Sequence, residues 1–257
     1  MRVLLRVAYD GTAYCGWQAQ PNGITVEEVL TAAVRELFAQ DIDLIGASRT
    51  DSGVHAMGNV AVFDVETRMP AEKIAYALNA RLPEDIRIRE SIEVPDGFHP
   101  RHTDCVKTYE YRIYHDRFEN PKERLYSCFD YGSFDIAAMR TVCPILCGTH
   151  DFTAFCAAGS QTEDKHRTIY ELEVLEEGPI LTIRVTGNGF LYNMVRIIAG
   201  TLIKVGKGQM SAETIRQALK TGDRRLAGPT APAKGLTLMR IYYPELGEDL
   251  PACVKNL

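Results

Sequence analysis

Apolar residues recur along this chain with two spacings, every second residue or every third to fourth, and the order of those spacings repeats. Val3–Tyr9 is a short β-rich run closed by the turn pair Asp10-Gly11. Thr25-Val-Glu-Glu28 has the form of a capping box, and Val26, Val29, Leu30, Ala33, Val34 and Leu37 follow at helical spacing. Leu44–Ala47 and Val60–Val65 read as strands, with Ser48–Asn59 as the loop between them. Pro70 opens a helix that carries Ile74, Ala77 and Leu78, and Ile86–Val94 is a further strand. The predicted order is β-α-β-β-α-β.

A similar order follows. Val106–His115 alternates Tyr109, Tyr111 and Ile113 as a strand does, and Ser133 is placed to cap a helix through Met139, Val142 and Ile145. Thr168–Leu175 and Ile180–Thr186 form strands around the Gly178-Pro179 turn. Phe190–Val205 is a strongly apolar helix, Ser211–Leu219 a second, and Leu236–Tyr243 a final strand. No residues match between the halves, so the repeat is one of pattern. It predicts an α+β architecture in two halves, 1–100 and 101–257, their sheets joined and a cleft between them. Asp96–Asp104 is the best candidate for a link, and the tail after Pro244 is expected to be poorly ordered.

Composition narrows the class. A chain of 257 residues, 46% hydrophobic and 25% charged, buries a core without help from disulfides or a structural metal. No apolar run reaches the ~18 residues that span a bilayer, and the N-terminus lacks the features of a signal peptide, so a cytoplasmic location is expected. Seven scattered cysteines agree with a reducing compartment. Net charge is −5, from 29 Lys+Arg against 34 Asp+Glu. No global cationic field gathers nucleic acid, so a nucleic-acid partner needs a local basic face.

Three groups of residues can carry chemistry. Arg49-Thr-Asp51-Ser-Gly-Val-His55 sets a fork donor, a carboxylate and an imidazole within seven residues of a loop, a combination suited to acid, base or nucleophile work. Arg196 stands in a helix whose other residues are mostly apolar, so its guanidinium must meet a carboxylate, a phosphate or several carbonyls. Asp51 is the expected partner, since a carboxylate kept ionised beside Arg is fit to attack. Lys107, Tyr109 and Tyr111 share one face of a strand, where two exposed aromatics and a cation can stack a base. An internal ion pair accounts for Arg196 equally well, and an ordinary Tyr-rich strand is the commoner reading of the tyrosine face by itself. Lys204, Lys207, Arg216, Lys220, Arg224 and Arg225 form a basic strip, read as a solvated face or as a phosphate contact. His150-Asp151 reads as a helix-start cap or a catalytic pair. Cys143 and Cys147 lack a second pair at zinc spacing, and the glycines fit neither a dinucleotide fingerprint nor a phosphate-binding loop.

Read together, these residues resemble the TruA-type tRNA pseudouridine synthases, in order and over most of the chain. Tyr9-Asp-Gly-Thr…Gly16-Trp-Gln18 resembles the opening strand and loop of that family, and Gly46-Ala-Ser-Arg-Thr-Asp-Ser-Gly-Val-His-Ala56 its catalytic loop. Asn79-Ala…Leu-Pro83, Phe98-His-Pro-Arg101, Lys107-Thr-Tyr-Glu-Tyr111, His150-Asp-Phe-Thr153, Arg167-Thr-Ile169, Asn188-Gly-Phe190…Met194-Val-Arg196 and Thr230-Ala-Pro…Gly235-Leu236 follow. The resemblance implies isomerisation of uridine to pseudouridine in the anticodon stem-loop of tRNA, at positions 38, 39 and 40. It implies Asp51 as the catalytic aspartate, Tyr109 at the target base, and Arg49 and Arg196 at the active site. It further implies a homodimer that uses no cofactor and no metal. The implied fold is two α+β halves sharing a mixed, mostly antiparallel sheet flanked by helices, with an electropositive active-site cleft.

Two other classes are compatible with parts of the sequence. A non-catalytic RNA-binding module uses the Tyr109 and Tyr111 face but has no use for Arg196, and a small-molecule enzyme suits the net charge but not the basic strip. Salt dependence of binding separates RNA from a small neutral ligand.

Overall fold

The strand β1 (Arg2–Tyr9) forms where seven of eight residues are buried, as in a strand covered on both faces. A computed structural model describes residues 1–255. After β1 come α1 (Val26–Phe38), β2 (Ile45–Gly46), β3 (His55–Asp64), α2 (Ala71–Asn79) and β4 (Ile86–Val94). The chain continues through β5 (Val106–Tyr114), β6 (Cys128–Phe129), α3 (Ile136–Leu146), β7 (Gly148–Asp151), β8 (His166–Glu177) and β9 (Ile180–Gly187). It ends with α4 (Met194–Gly206), α5 (Ala212–Thr221), β10 (Leu236–Tyr242) and α6 (Ala252–Lys255). The architecture is α+β with mixed strand pairing. Among the described residues no helix is long and apolar enough to cross a membrane.

The chain divides into two compact units. One is Met1–Cys105 with Thr237–Asp249, the other Val106–Leu236 with the residues from Leu250 on. A division into 1–100 and 101–257 leaves Thr237–Asp249 in the second half, whereas the folded chain returns it to the first. The reason is strand pairing: β10 lies parallel to β3, with Thr237 opposite His55 and Leu238 opposite Ala56. Arg6, buried in β1, donates to the Ile241 carbonyl and pairs with Glu90 and Glu248. The tail after Pro244, expected to be loose, is thus anchored through Glu248, and Ala252–Lys255 in it form α6.

In the first unit the strand order is β4-β1-β3-β10, with β2 on β3 and β1 antiparallel to both its neighbours. In the second it is β5-β9-β8-β7, antiparallel throughout, with β6 parallel to β5. The capping box predicted at Thr25 is present, with the Thr25 and Glu28 side chains satisfying each other's main-chain N–H groups. The cap of α3 is Asp135 instead of Ser133. The helix expected from Phe190 starts at Met194, since Asn193 before it is left-handed, with φ +59°. His150 and Asp151 lie on β7 and start no α-helix, although the Asp151 carboxylate does accept from Thr153 in the turn that follows. β7 has no apolar alternation to announce it.

Helix α4 is buried on nearly every face, and Gly200 lets it approach the 228–231 segment. A Cβ at Gly200 would stand 1.9 Å from the Pro229 carbonyl oxygen, and the Gly228 N–H donates to Thr201 Oγ1 at 2.8 Å. Gly200→Ala is expected to lower unfolding stability by about 1–3 kcal/mol, the usual cost of overpacking a tight site. Urea titration with a tryptophan or circular-dichroism readout measures it, and an unchanged midpoint would disprove the close packing.

Candidate active site

Asp51 is half-buried in the loop between β2 and β3. The opening segment of the chain fastens that loop through its main chain. The Trp17 N–H donates to the Thr50 carbonyl at 3.1 Å, and the Ser52 hydroxyl and Gly53 N–H donate to the Tyr14 carbonyl at 3.2 and 3.4 Å; within the loop the Val54 N–H donates to the Asp51 carbonyl at 3.1 Å. Gly16 has φ +87°, and a Cβ there would stand 2.6 Å from the Thr50 oxygen, so a side chain at 16 would push the loop away. The loop is short and tied on both flanks, and it places one carboxylate at a fixed point.

The two other members of the sequence cluster part company. Arg49 is exposed beside the loop, and Arg101 donates through Nε to the Gly46 carbonyl at 2.6 Å. Burial lowers the Arg101 pKa from its ordinary value, and the neighbouring Arg49 charge lowers it further. The Glu27 carboxylate acts on it in the opposite sense. His55, by contrast, is buried on β3, which begins at His55 and not at Val60. Its Nδ1 accepts from the Gly11 N–H at 3.1 Å and lies 3.2 Å from Asp10 Oδ1. That nitrogen serves the turn after β1, so His55 leaves the set of candidate acids and bases.

In the second unit, Tyr109 and Tyr111 of β5 have different surroundings. Lys107 and Tyr109 are half-buried, and the Tyr109 ring packs edge-on against Phe190 with centroids 5.3 Å apart. Tyr111, expected to be exposed on the same face, is fully buried. The segment Pro232–Gly235 covers it: its hydroxyl donates to the Pro232 carbonyl at 2.9 Å, and a Cβ at Gly235 would stand 2.8 Å from its ring. Burial pushes the Tyr111 phenol far above its ordinary pKa, so it stays a donor. Tyr109 and Phe190 are thus the aromatic pair left half-buried here, and nothing in the sequence signalled that Phe190 would meet Tyr109.

Arg196 is half-buried, less enclosed than its helix. Its Nε donates to the Ala231 carbonyl at 2.7 Å and its Nη1 to Asn193 Oδ1 at 2.7 Å, while the Ala231 N–H donates back to the Arg196 carbonyl at 3.1 Å. Neither Asn193 nor Ala231 could be read from the sequence as a partner, because one depends on a left-handed turn and the other comes from 35 residues away. Three cations of the basic strip meet carboxylates and a fourth meets a main-chain carbonyl. Lys207 pairs with Asp130, Arg216 with Glu213, and Arg225 with Asp223, while Arg224 donates to the Gly228 carbonyl. Among the described residues no three His, Cys, Asp or Glu side chains gather as a ligand set.

One unit thus carries a clamped carboxylate loop, and the other a half-buried tyrosine and a held guanidinium. Comparison with known proteins gives the class. The sequence model of the tRNA pseudouridine synthase family matches residues 6–102 and 142–244, and this chain belongs to that family. Curated relatives named tRNA pseudouridine synthase A include one from Geobacter sp. (strain M21), 46% identical over 95% of this chain and 99% of its own length. Another, from Thermoanaerobacter sp. (strain X514), is 45% identical over 94% of this chain and 99% of its own length.

Proposed function

We propose that this protein isomerises uridine to pseudouridine at positions 38, 39 and 40 of tRNA, in the anticodon stem-loop, with Asp51 as the catalytic carboxylate. The observation that carries the assignment of the residue is the clamped loop, which aims a single half-buried Asp and whose motif, Arg49 to His55, lies inside the family match. The reaction breaks the C1′–N1 glycosidic bond, turns the uracil, joins C5 to C1′ and releases the C5 proton. Nothing is added or lost overall, so no cofactor or metal is required by its balance. An anionic carboxylate serves by adding at C1′ or at C6, or by taking the 2′ proton.

A base inside a stem must leave the stack before it can react, at a cost of a few kcal/mol. In this reading Arg49, exposed beside the loop, fills the place the base leaves, and Tyr109 stacks on the base itself. Arg196 supplies a fixed positive charge at the reacting uridine. The protein acts as a homodimer in the cytoplasm. The test is to dialyse it against a chelator, incubate it with unmodified tRNA transcripts and map pseudouridine by position. Modification confined to positions 38–40 supports the reading, and none there defeats it.

Tyr109 separates binding from chemistry. Stacking on a base is worth about 1–3 kcal/mol by alanine substitution, so Tyr109→Ala should weaken tRNA binding by roughly 5- to 150-fold. Tyr109→Phe keeps the stack and removes the hydroxyl. It should bind tRNA as the unsubstituted protein does and react slowly, because C5 deprotonation needs a group near the ring that moves a proton. Single-turnover rates at saturating tRNA decide this, and a fast Phe variant reduces Tyr109 to a stacking surface.

A further inference from the structure

A buried polar group beneath the Asp51 loop has no part in the roles assigned above. Asn59 stands on β3 beside Val60, Ala61, Val62 and Phe63, all buried, and is itself 0% exposed. A polar side chain in such a place needs partners. Its partners also settle which way the amide points. Oδ1 accepts from the Val60 N–H at 2.9 Å, an obligate donor, so Nδ2 faces the other way. There it donates to the Ser48 carbonyl at 3.0 Å and to the Tyr9 hydroxyl at 3.2 Å. The Tyr9 hydroxyl in turn lies 2.7 Å from Thr50 Oγ1. One amide thus reaches residues 48 and 50, the two sides of Arg49 and the approach to Asp51.

The backbone is shaped to present this side chain. Val7 stands opposite Asn59 and Tyr9 opposite Ala56, so two steps along β1 are matched by three along β3. That extra residue is a bulge, a device that re-aims side chains near functional sites. Within it, a Cβ at Gly58 would stand 2.7 Å from the Met239 carbonyl oxygen, so β10 lies close against the bulge.

We propose that Asn59 and Tyr9 are positioning residues of the reaction, holding Ser48 and Thr50 and through them the Asp51 carboxylate in the geometry that the chemistry needs. The inference rests on the role proposed for Asp51. Both side chains are buried, so they act through the loop. A merely structural role lowers the melting temperature and leaves the folded protein's rate alone, whereas positioning lowers the rate at saturating tRNA and leaves binding unchanged.

Tyr9→Phe removes the bridging hydroxyl and keeps the ring that packs 5.8 Å from Trp17. Its single-turnover rate at saturating tRNA should fall at least tenfold, with the tRNA Kd within twofold of the unsubstituted protein. Hydrogen exchange at the Trp17 and Val54 amides, which bond to the loop carbonyls of Thr50 and Asp51, should quicken at least tenfold. Thr50→Val should behave like Tyr9→Phe, and Thr50→Ser, which keeps a hydroxyl, should stay within threefold of the starting rate. A Tyr9→Phe protein with an undiminished rate overturns the inference, as does a slowing that Thr50→Ser shares. If the unsubstituted protein forms no pseudouridine in tRNA, the assigned reaction is what fails. Exchange then decides the loop-holding role by itself, unchanged exchange in Tyr9→Phe refuting it and faster exchange supporting it.

Discussion

Asp51→Asn is expected to abolish isomerisation, by at least about 10³-fold, while the protein folds and binds tRNA nearly as before. The substitution keeps the shape of the side chain and removes its charge. The bonds that fasten the loop run through main-chain groups, Trp17 N–H to Thr50 O and Val54 N–H to Asp51 O, together with the Ser52 hydroxyl. None of these three uses the carboxylate. An amide is a poor nucleophile and a poor base, so whichever route the reaction takes at C1′, C6 or the 2′ position, the step is lost. Single-turnover pseudouridine formation at saturating tRNA measures the rate, with binding and melting as controls. Turnover within tenfold of the starting protein would remove Asp51 from the mechanism.

Arg196→Met should cut activity by roughly 30- to 1000-fold, the ~2–4 kcal/mol typical of losing a charged group at a reacting centre. Met suits α4, whose residues Met194, Val195, Ile197 and Ile198 are buried. The change leaves the Ala231 carbonyl and Asn193 Oδ1 without the guanidinium, at a cost of about 1–3 kcal/mol for groups removed from water. Half-exposure of the site lets water take up part of that loss. Denaturant unfolding and activity must therefore be measured on the same preparation. If stability collapses while the folded fraction turns over normally, Arg196 is a structural residue and its assigned role falls.

Much of the first unit was legible because its signals are local. The capping box at Thr25 needs only Glu28 three residues on, and the strand-helix order from β1 to β4 follows from spacing alone. The Asp51 loop stood out because three chemical groups fall within one turn signal. Errors fell where a distant segment decides. His55 read as part of the loop because Met57, Gly58 and Asn59 break the alternation, yet β3 runs through them over a bulge. Arg196 read as sealed in its helix, but the 228–231 segment reaches it and leaves the guanidinium half-open.

The sequence by itself determined the elements, their order and the residue types able to carry the chemistry, since helix caps, turn pairs and alternation act over a few residues. Only the tertiary structure decided which of two like tyrosines meets solvent. Tyr109 and Tyr111 share a face of β5, and what separates them is the Pro232–Gly235 segment lying over one of them, more than a hundred residues along the chain. It likewise gave His55 to the Asp10-Gly11 turn, paired Lys207, Arg216 and Arg225 of the basic strip with carboxylates, and tied residues 48 and 50 to Asn59 and Tyr9. Spacing says which way a side chain points. Whether it is covered, and by which partner, depends on contacts between segments far apart in the chain.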